Sequence, residues 1–390
     1  MSGRLLLVLG VLFHLWFGLR PAWERVVESP SGRDFASYYY AVQVAADGGD
    51  PYDTDRMEAM ARAEHTRGSV HPYFYPPPFL LTMAWALPLP LANAYVGMLV
   101  VNELLLAATV VVCLAGFGVA PWAVALLLAT YSPIPDNAWM GQANLLALVP
   151  ALIGLAMAPR RPILGGVLVG VAGMLKMSPA LFLLYWALKG KWRPVVAAVV
   201  TAIALSVATL PLVGLDAQLR FYTEILPGFS SGDYHGLTVP ITLPANHSIP
   251  DLFNQLWPGP TKFRLSDAAQ TGTLVVTLAA LALWAFRFRG PATEDPDPAA
   301  IGALSVLMVV LPVYTYEHHL VFLLPALAIA ATLRPGPAVL IVGFFLAWPL
   351  DWLRGAQKAV PVLAPLLKES KFLAEVVLFA LLLAGRRRRS

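Results

Sequence analysis

Apolar residues do not alternate with polar ones along this chain. They come in continuous runs, most of them closed by Arg or Lys. Continuous runs are the pattern of helices buried on every side, and in lipid only helices or closed barrels satisfy the backbone. The first run fills Leu5 to Leu19, after Arg4. Runs resume at about 79–90 and 93–117, with others at 120–131 and 139–158. The stretch 163–188 reads as two short helices broken at Lys176-Met177-Ser178-Pro179. Further runs occupy 194–213, 271–286, 299–313, 320–333, 337–350 and 372–384. The pattern predicts an all-α polytopic membrane protein with about 11–13 transmembrane helices.

Composition points the same way. Of the 390 residues, 58% are hydrophobic and 13% charged, and mean hydropathy is +0.66. A soluble domain is about one-quarter charged. The formal net charge of +4 carries no nucleic-acid signal, because the cations sit at the ends of apolar runs as topology signals. Arg4, Arg160-Arg161, Lys189 to Arg193, Arg287, Arg289, Arg334 and Arg386 to Arg389 then mark the cytoplasmic side. Residues 20–78 and 214–270 become outer loops, joined on that face by the short polar stretch Tyr314 to Leu320, "YTYEHHL". No small-x-small cleavage site follows the first run, which reads as an uncleaved span. Between the first outer loop and Arg160, parity allows three crossings where four apolar runs are visible. One of them is expected to be half-inserted, re-entrant or not a span at all. The single cysteine, Cys113, lies in an apolar run and reads as a small buried hydrophobe.

Polar residues on the outer face carry the candidate chemistry. Asp34 opens a segment in which Phe35, Tyr38, Tyr39, Val42, Ala45 and Ala46 share a helical face. That spacing predicts an amphipathic helix on the bilayer surface, stopped at Gly48-Gly49. Ser31 and Asp34 also fit a capping box, and Glu24 and Glu28 are rival carboxylates. Tyr75 precedes a Pro run that demands an extended entry into the next helix. Gln142 and Asn144, just after Gly141, either glue helices together or line a polar cavity. Lys176 sits within an apolar stretch, where it either snorkels or meets an anion such as phosphate. Asn246 and Ser248 offer turn chemistry or hydroxyl recognition in the second outer loop.

Glu317, His318 and His319 stand side by side at a span mouth. Adjacent residues point about 100° apart on a helix. The i, i+4 spacing of helical metal ligands is absent, so no metal site is expected. Imidazoles there can donate hydrogen bonds to a phosphate. A carboxylate that deprotonates a hydroxyl, a cation and His donors together suit group transfer from a lipid-linked phosphate. No Gly-rich nucleotide loop is visible, which argues against a nucleotide-sugar donor.

Six pieces, in order from about residue 33 to 325, carry a family resemblance. They are "RDFASYYYAVQVAADGGDPYD", "YFYPPPFLLTMAWALPLP", "GQANLLAL", "LKMSPALFLLYW", "NHSIPDLFNQLW" and "EHHLVFLLP". The chain resembles the polyprenol-phosphate-mannose-dependent α-1,2-mannosyltransferases of glycosyltransferase family 87. The resemblance implies one GT-C membrane domain over residues 1–390, with outer-face amphipathic helices. It implies an outer-loop acid as general base, which maps onto Asp34. His318 and His319 become donor-phosphate contacts, with Lys176 at the family's "LK…P" element. Glu317, Asn246, Ser248, Gln142, Asn144 and Tyr75 are the expected substrate contacts. The partners are a polyprenyl-phosphate sugar donor, a glycolipid or glycan acceptor and membrane lipids, with no nucleic acid, cofactor or metal. The expected site is the outer side of a bacterial cytoplasmic membrane. A transporter or flippase of lipid-linked sugar, and a non-catalytic scaffold of cell-wall synthesis, are the rival readings.

Overall fold

A computed structural model describes residues 2–28, 33–65, 70–231, 240–290 and 295–385. Ser31 of the capping box, Glu294 and the terminal Arg386 to Arg389 lie outside the described residues. Among those described, the fold is helical throughout, with one isolated bridge between Thr261 and Arg264 and no strand.

The chain begins with α1 (Gly3–Glu28), which is π-helical over His14–Leu19. Helices α2 (Arg33–Ala46) and α3 (Thr54–Ala63) follow on the outer side. A buried 3₁₀ helix, Pro77–Ala86, leads into α4 (Leu91–Gly116). Next come α5 (Pro121–Thr130), α6 (Pro133–Trp139) and α7 (Asn144–Met157). Helix α8 (Pro162–Leu175) ends at Lys176, where a 3₁₀ turn, Ser178–Phe182, and α9 (Leu183–Leu188) complete the predicted broken pair. The second half holds α10 (Trp192–Arg220), α11 (Ile249–Leu256), α12 (Asp267–Phe288) and α13 (Pro298–Val310). The 3₁₀ helix Glu317–Leu323 then runs into α14 (Leu324–Leu333). Helices α15 (Pro337–Ala347), α16 (Leu350–Ala359) and α17 (Ser370–Ala384) finish the described chain.

Among the described residues four helices are long and apolar enough to cross a membrane alone: α1, α4, α12 and Trp192–Phe229. Two bent pairs add up to two more, and α6 with α7 is one of them, folded back by 120°. By length and composition that pair fits a broken span as well as a re-entrant loop. Shorter apolar helices of 10–17 residues fill the belt. At about 1.5 Å per residue such helices cross a ~30 Å core only with their flanking turns. Close backbone approach packs them. A Cβ on Gly154 of α7 would stand 2.6 Å from the Gly165 carbonyl of α8, and one on Gly165 would stand 2.6 Å from the Gly154 carbonyl.

Three expectations change. The run at 79–90 is no span: prolines at 76–78, 88 and 90 confine it to a ten-residue 3₁₀ helix packed on α2 and α10. Helix α2 does not lie open on the bilayer. Phe35, Tyr38, Tyr39, Tyr40, Ala41 and Val42 are all buried, because large residues occupy most of its faces. The outer segment expected from 214 starts as helix, which continues past a break at Gly214 (φ 74°) to Ser231.

The two ends of the bundle differ in chemistry. At one end the basic turns meet. Lys191 pairs with Asp295, Lys189 Nζ donates to the Phe288 and Gly290 carbonyls at 2.5 Å, and Arg334 reaches the Ala384 carbonyl. At the other end the polar segments meet. Arg220 pairs with Asp50, Tyr52 stacks on Phe221, and residues 246–248 clasp residues 313–317.

Candidate active site

A cavity of about 1030 Å³ opens at the polar end and draws its walls from both halves of the chain. Asp34 enters from the first turn of α2. Its place is set by the α6–α7 break. Gly141 turns the chain there with φ +66°, a conformation that glycine adopts without strain. A Cβ at Gly141 would stand 2.6 Å from Phe35 Cβ, so only glycine lets α2 come this close. The Phe35 backbone N–H donates to the Met140 carbonyl at 3.3 Å, tying α2 to the break. The next residue, Gln142, donates through Nε2 to Asp34 Oδ2 at 2.6 Å.

The carboxylate of Asp34 faces two imidazoles. His318 Nε2 stands 3.9 Å from Oδ2, and His71 Nε2 stands 3.9 Å from Oδ1. His318 is nearly buried, whereas the His71 side chain is 49% exposed at the cavity rim. His319 packs edge-on to His318, with ring centroids 4.3 Å apart. Its Nδ1 accepts the Tyr316 backbone N–H at 3.0 Å. In the neutral ring the proton is then on Nε2, which leaves an N–H donor for a ligand.

Lys176 completes the wall from the broken end of α8. Its ammonium donates to Asn144 Oδ1 at 2.5 Å and approaches Tyr75 OH at 3.5 Å. Asn144 donates to the His318 carbonyl at 2.9 Å and to Asn137 Oδ1 at 3.0 Å, so one amide links the lysine to the histidine turn. Tyr75 and Tyr38 share a 2.6 Å hydrogen bond, and both approach Gln142 Oε1, at 3.3 and 3.1 Å. Burial pushes both phenols well above their usual range, with Asp34 adding to it. They remain neutral donors beside the Asp34 carboxylate.

Of the residues expected from sequence, Asp34, Tyr75, Gln142, Lys176, Glu317, His318 and His319 line the cavity, and Asn144 supports it from behind. Asn246 and Ser248 do not reach it. Asn246 Nδ2 donates to the Ile241 and Val313 carbonyls, its Oδ1 accepts from Thr315 N, and Ser248 Oγ donates to the Val313 carbonyl. Their polar groups hold two outer segments together. His71, Tyr38 and the buried Lys371 emerge from the structure alone. Lys371 abuts an apolar run, where a cation reads as a topology signal. Among the described residues no group of three or more His, Cys, Asp or Glu side chains could hold a metal.

Elsewhere the lining is mixed: Phe17, Leu128, Met308 and Phe322 are apolar, while His14, Arg25, Asp136, Asp351 and Arg354 are polar or charged. A carboxylate, two imidazole donors and an ammonium can thus meet an anionic head, while the apolar wall meets a chain attached to it.

No curated protein and no solved structure matches the chain. The model of glycosyltransferase family 87 matches residues 73–315. Lys176, Gln142 and Asn144 fall inside that segment, and Asp34 and Glu317 to His319 fall outside it. The match covers well over half of the 390 residues, and the chain belongs to glycosyltransferase family 87, a family of membrane glycosyltransferases with the GT-C fold.

Proposed function

We propose that this glycosyltransferase moves a sugar, mannose by its family resemblance, from a polyprenyl-phosphate donor to a hydroxyl of a glycolipid or glycan. The reaction proceeds with inversion, at the outer face of a bacterial cytoplasmic membrane, and the whole chain acts as one membrane domain. The observation that carries the reading is the cavity wall. The Asp34 carboxylate faces His318 at 3.9 Å, a lysine is tied to the same histidine turn, and Phe17, Leu128, Met308 and Phe322 supply apolar wall for a lipid chain.

In this reading Asp34 takes the proton of the acceptor hydroxyl. The acceptor oxygen bonds to the anomeric carbon as the bond from that carbon to the donor phosphate breaks. Polyprenyl phosphate leaves with the electron pair. His318, His319 and Lys176 stabilise the phosphate's charge by charge-assisted hydrogen bonds in a water-poor site. Gln142 holds Asp34, while Asn144 and Tyr75 aim Lys176. Asn246 and Ser248 act behind the wall and Glu317 within it, and the polar groups of all three are spent on protein.

The test is a transfer assay. Purified wild type and Asp34→Asn are given radiolabelled polyprenyl-phosphate mannose and a membrane glycolipid extract. Label moves to a new lipid or glycan with wild type only. Near-normal turnover by Asp34→Asn removes Asp34 as the base, and transfer only from another lipid-linked sugar removes mannose.

A further inference from the structure

From Glu317 on the cavity lining, a second set of ionisable groups that the transfer chemistry leaves unused extends behind the wall. Lys371, at the start of α17, is wholly buried. Its ammonium donates to Glu317 Oε2 and reaches the Leu346 carbonyl at 3.4 Å. The other Glu317 oxygen meets His247 Nε2 at 2.8 Å. Glu375, one turn further along α17, is buried with neither carboxyl oxygen hydrogen-bonded. Glu317, Lys371 and Glu375 all lie outside the segment that matches the family.

Packing does not explain such a cluster. Desolvating an ammonium and a carboxylate costs more than their attraction commonly returns, and two apolar residues of the same size pack as well or better. Ionisable residues held inside a membrane bundle mark function by default. The neighbours of this pair say which function. Glu317 directly precedes His318, in the first turn of the same 3₁₀ helix. Its two oxygens are gripped from separate directions, by α17 and by the loop that carries His247. The Glu317 carboxylate therefore fixes the rotation of that turn, and with it the direction of the His318 ring.

We propose that Lys371 is a positioning residue for sugar transfer: through Glu317 it locks the 3₁₀ turn so that His318 faces Asp34 and the donor phosphate. The proposal rests on the transfer reading above. Lys371 touches no substrate in it. Its effect falls on the donor and not on the acceptor.

The experiment compares wild type, Asp34→Asn, Glu317→Gln, Lys371→Met and the double variant Glu317→Gln/Lys371→Met, all purified as full chains. Three quantities are read: the thermal midpoint, binding of polyprenyl phosphate, and the donor kcat/KM apart from the acceptor KM. Lys371→Met alone strands the Glu317 charge and loses stability. The double variant removes both charges and recovers the midpoint. Its donor kcat/KM nevertheless stays about tenfold or more below wild type, with the acceptor KM within about twofold. Should the double variant not fold, Glu317→Asp decides, since it keeps the ion pair on an arm one carbon shorter. A folded Glu317→Asp protein with about tenfold weaker donor kcat/KM supports the lock. Wild-type binding and donor kcat/KM in the double variant, or in Glu317→Asp if that one decides, overturns it. With transfer by wild type lost in Asp34→Asn, that result sinks the positioning role and leaves the transfer reading intact. A wild type that neither binds polyprenyl phosphate nor transfers sinks both.

Discussion

Asp34 and Glu317 are carboxylates on one cavity, and the structure treats them in opposite ways. Asp34 has one close hydrogen bond, from Gln142, and its two imidazole neighbours stay at 3.9 Å. Glu317 has both oxygens engaged, by Lys371 and His247. Asp34 is 21% exposed and Glu317 8%. An acid that must accept a proton needs a free lone pair and room for the donor of that proton. An acid that holds structure needs neither. The contrast teaches that a charged residue at a membrane cavity is not by itself a reacting one; in the proposed reaction the number of its satisfied oxygens separates the two roles.

The largest expected effect breaks that comparison if it fails. Asn at position 34 keeps an oxygen to accept from Gln142, so Asp34→Asn folds normally and slows transfer by about 10²–10⁴-fold, the usual worth of a general base. Glu317→Ala does the reverse in kind. It leaves the Lys371 ammonium buried without its partner and costs about 3–5 kcal/mol of stability. Initial rates and thermal midpoints on both proteins check this. An Asp34→Asn protein that melts early while turning over normally would merge the two classes.

Loss of the donors proposed to meet the phosphate comes next. Lys176→Met should lower transfer by about 10²–10³-fold, the cost of deleting one preorganised donor to developing charge. His318→Gln should cost about 10²-fold, because Gln can still donate one hydrogen bond. Steady-state rates at saturating acceptor are the measurement. Equal losses in acceptor binding would place these residues on the wrong substrate. Gly141→Ala is smaller and acts at a distance. The added Cβ meets Phe35 and needs a φ that alanine adopts only with about 1–2 kcal/mol of strain. We expect a lower thermal midpoint and roughly tenfold slower transfer, as α2 and Asp34 are displaced.

These residues also mark what was legible in the sequence. Lys176 and the histidine pair were visible because ionisable residues in apolar surroundings are costly and therefore conspicuous. Helices α4, α12 and α13 were visible as plain apolar runs. The stretch at 79–90 misled for a physical reason. Phe79, Leu80, Met83 and Ala86 are buried against the rest of the fold, including α2 and α10, while Leu81 and Trp85 stay exposed, and hydropathy does not separate the two environments. Lys371 was hidden by its place at the start of a run, where a cation reads as a topology signal. Asn246 and Ser248 had the side chains for sugar recognition, and only tertiary contacts reveal that their hydrogen bonds go to backbone carbonyls. His71 had no pattern around it at all.

His71 sharpens the comparison by offering Asp34 a second imidazole at the same 3.9 Å as His318. Distance does not distinguish them, but surroundings do. His318 is held between Tyr316 and His319, with ring centroids at 5.9 and 4.3 Å, in a site that water scarcely enters. The His71 side chain is 49% exposed, so a water molecule can take its place beside Asp34 with nearly the same hydrogen bonding. His71→Gln should therefore change transfer by less than about threefold, against about 10²-fold for His318→Gln. Parallel initial rates on the two variants decide the matter. A His71→Gln loss as large as that of His318→Gln would mean that the acceptor's proton leaves Asp34 through the rim histidine. The exposed imidazole would then belong to the reacting set, and satisfied oxygens, not burial, would be the only guide left to which groups react.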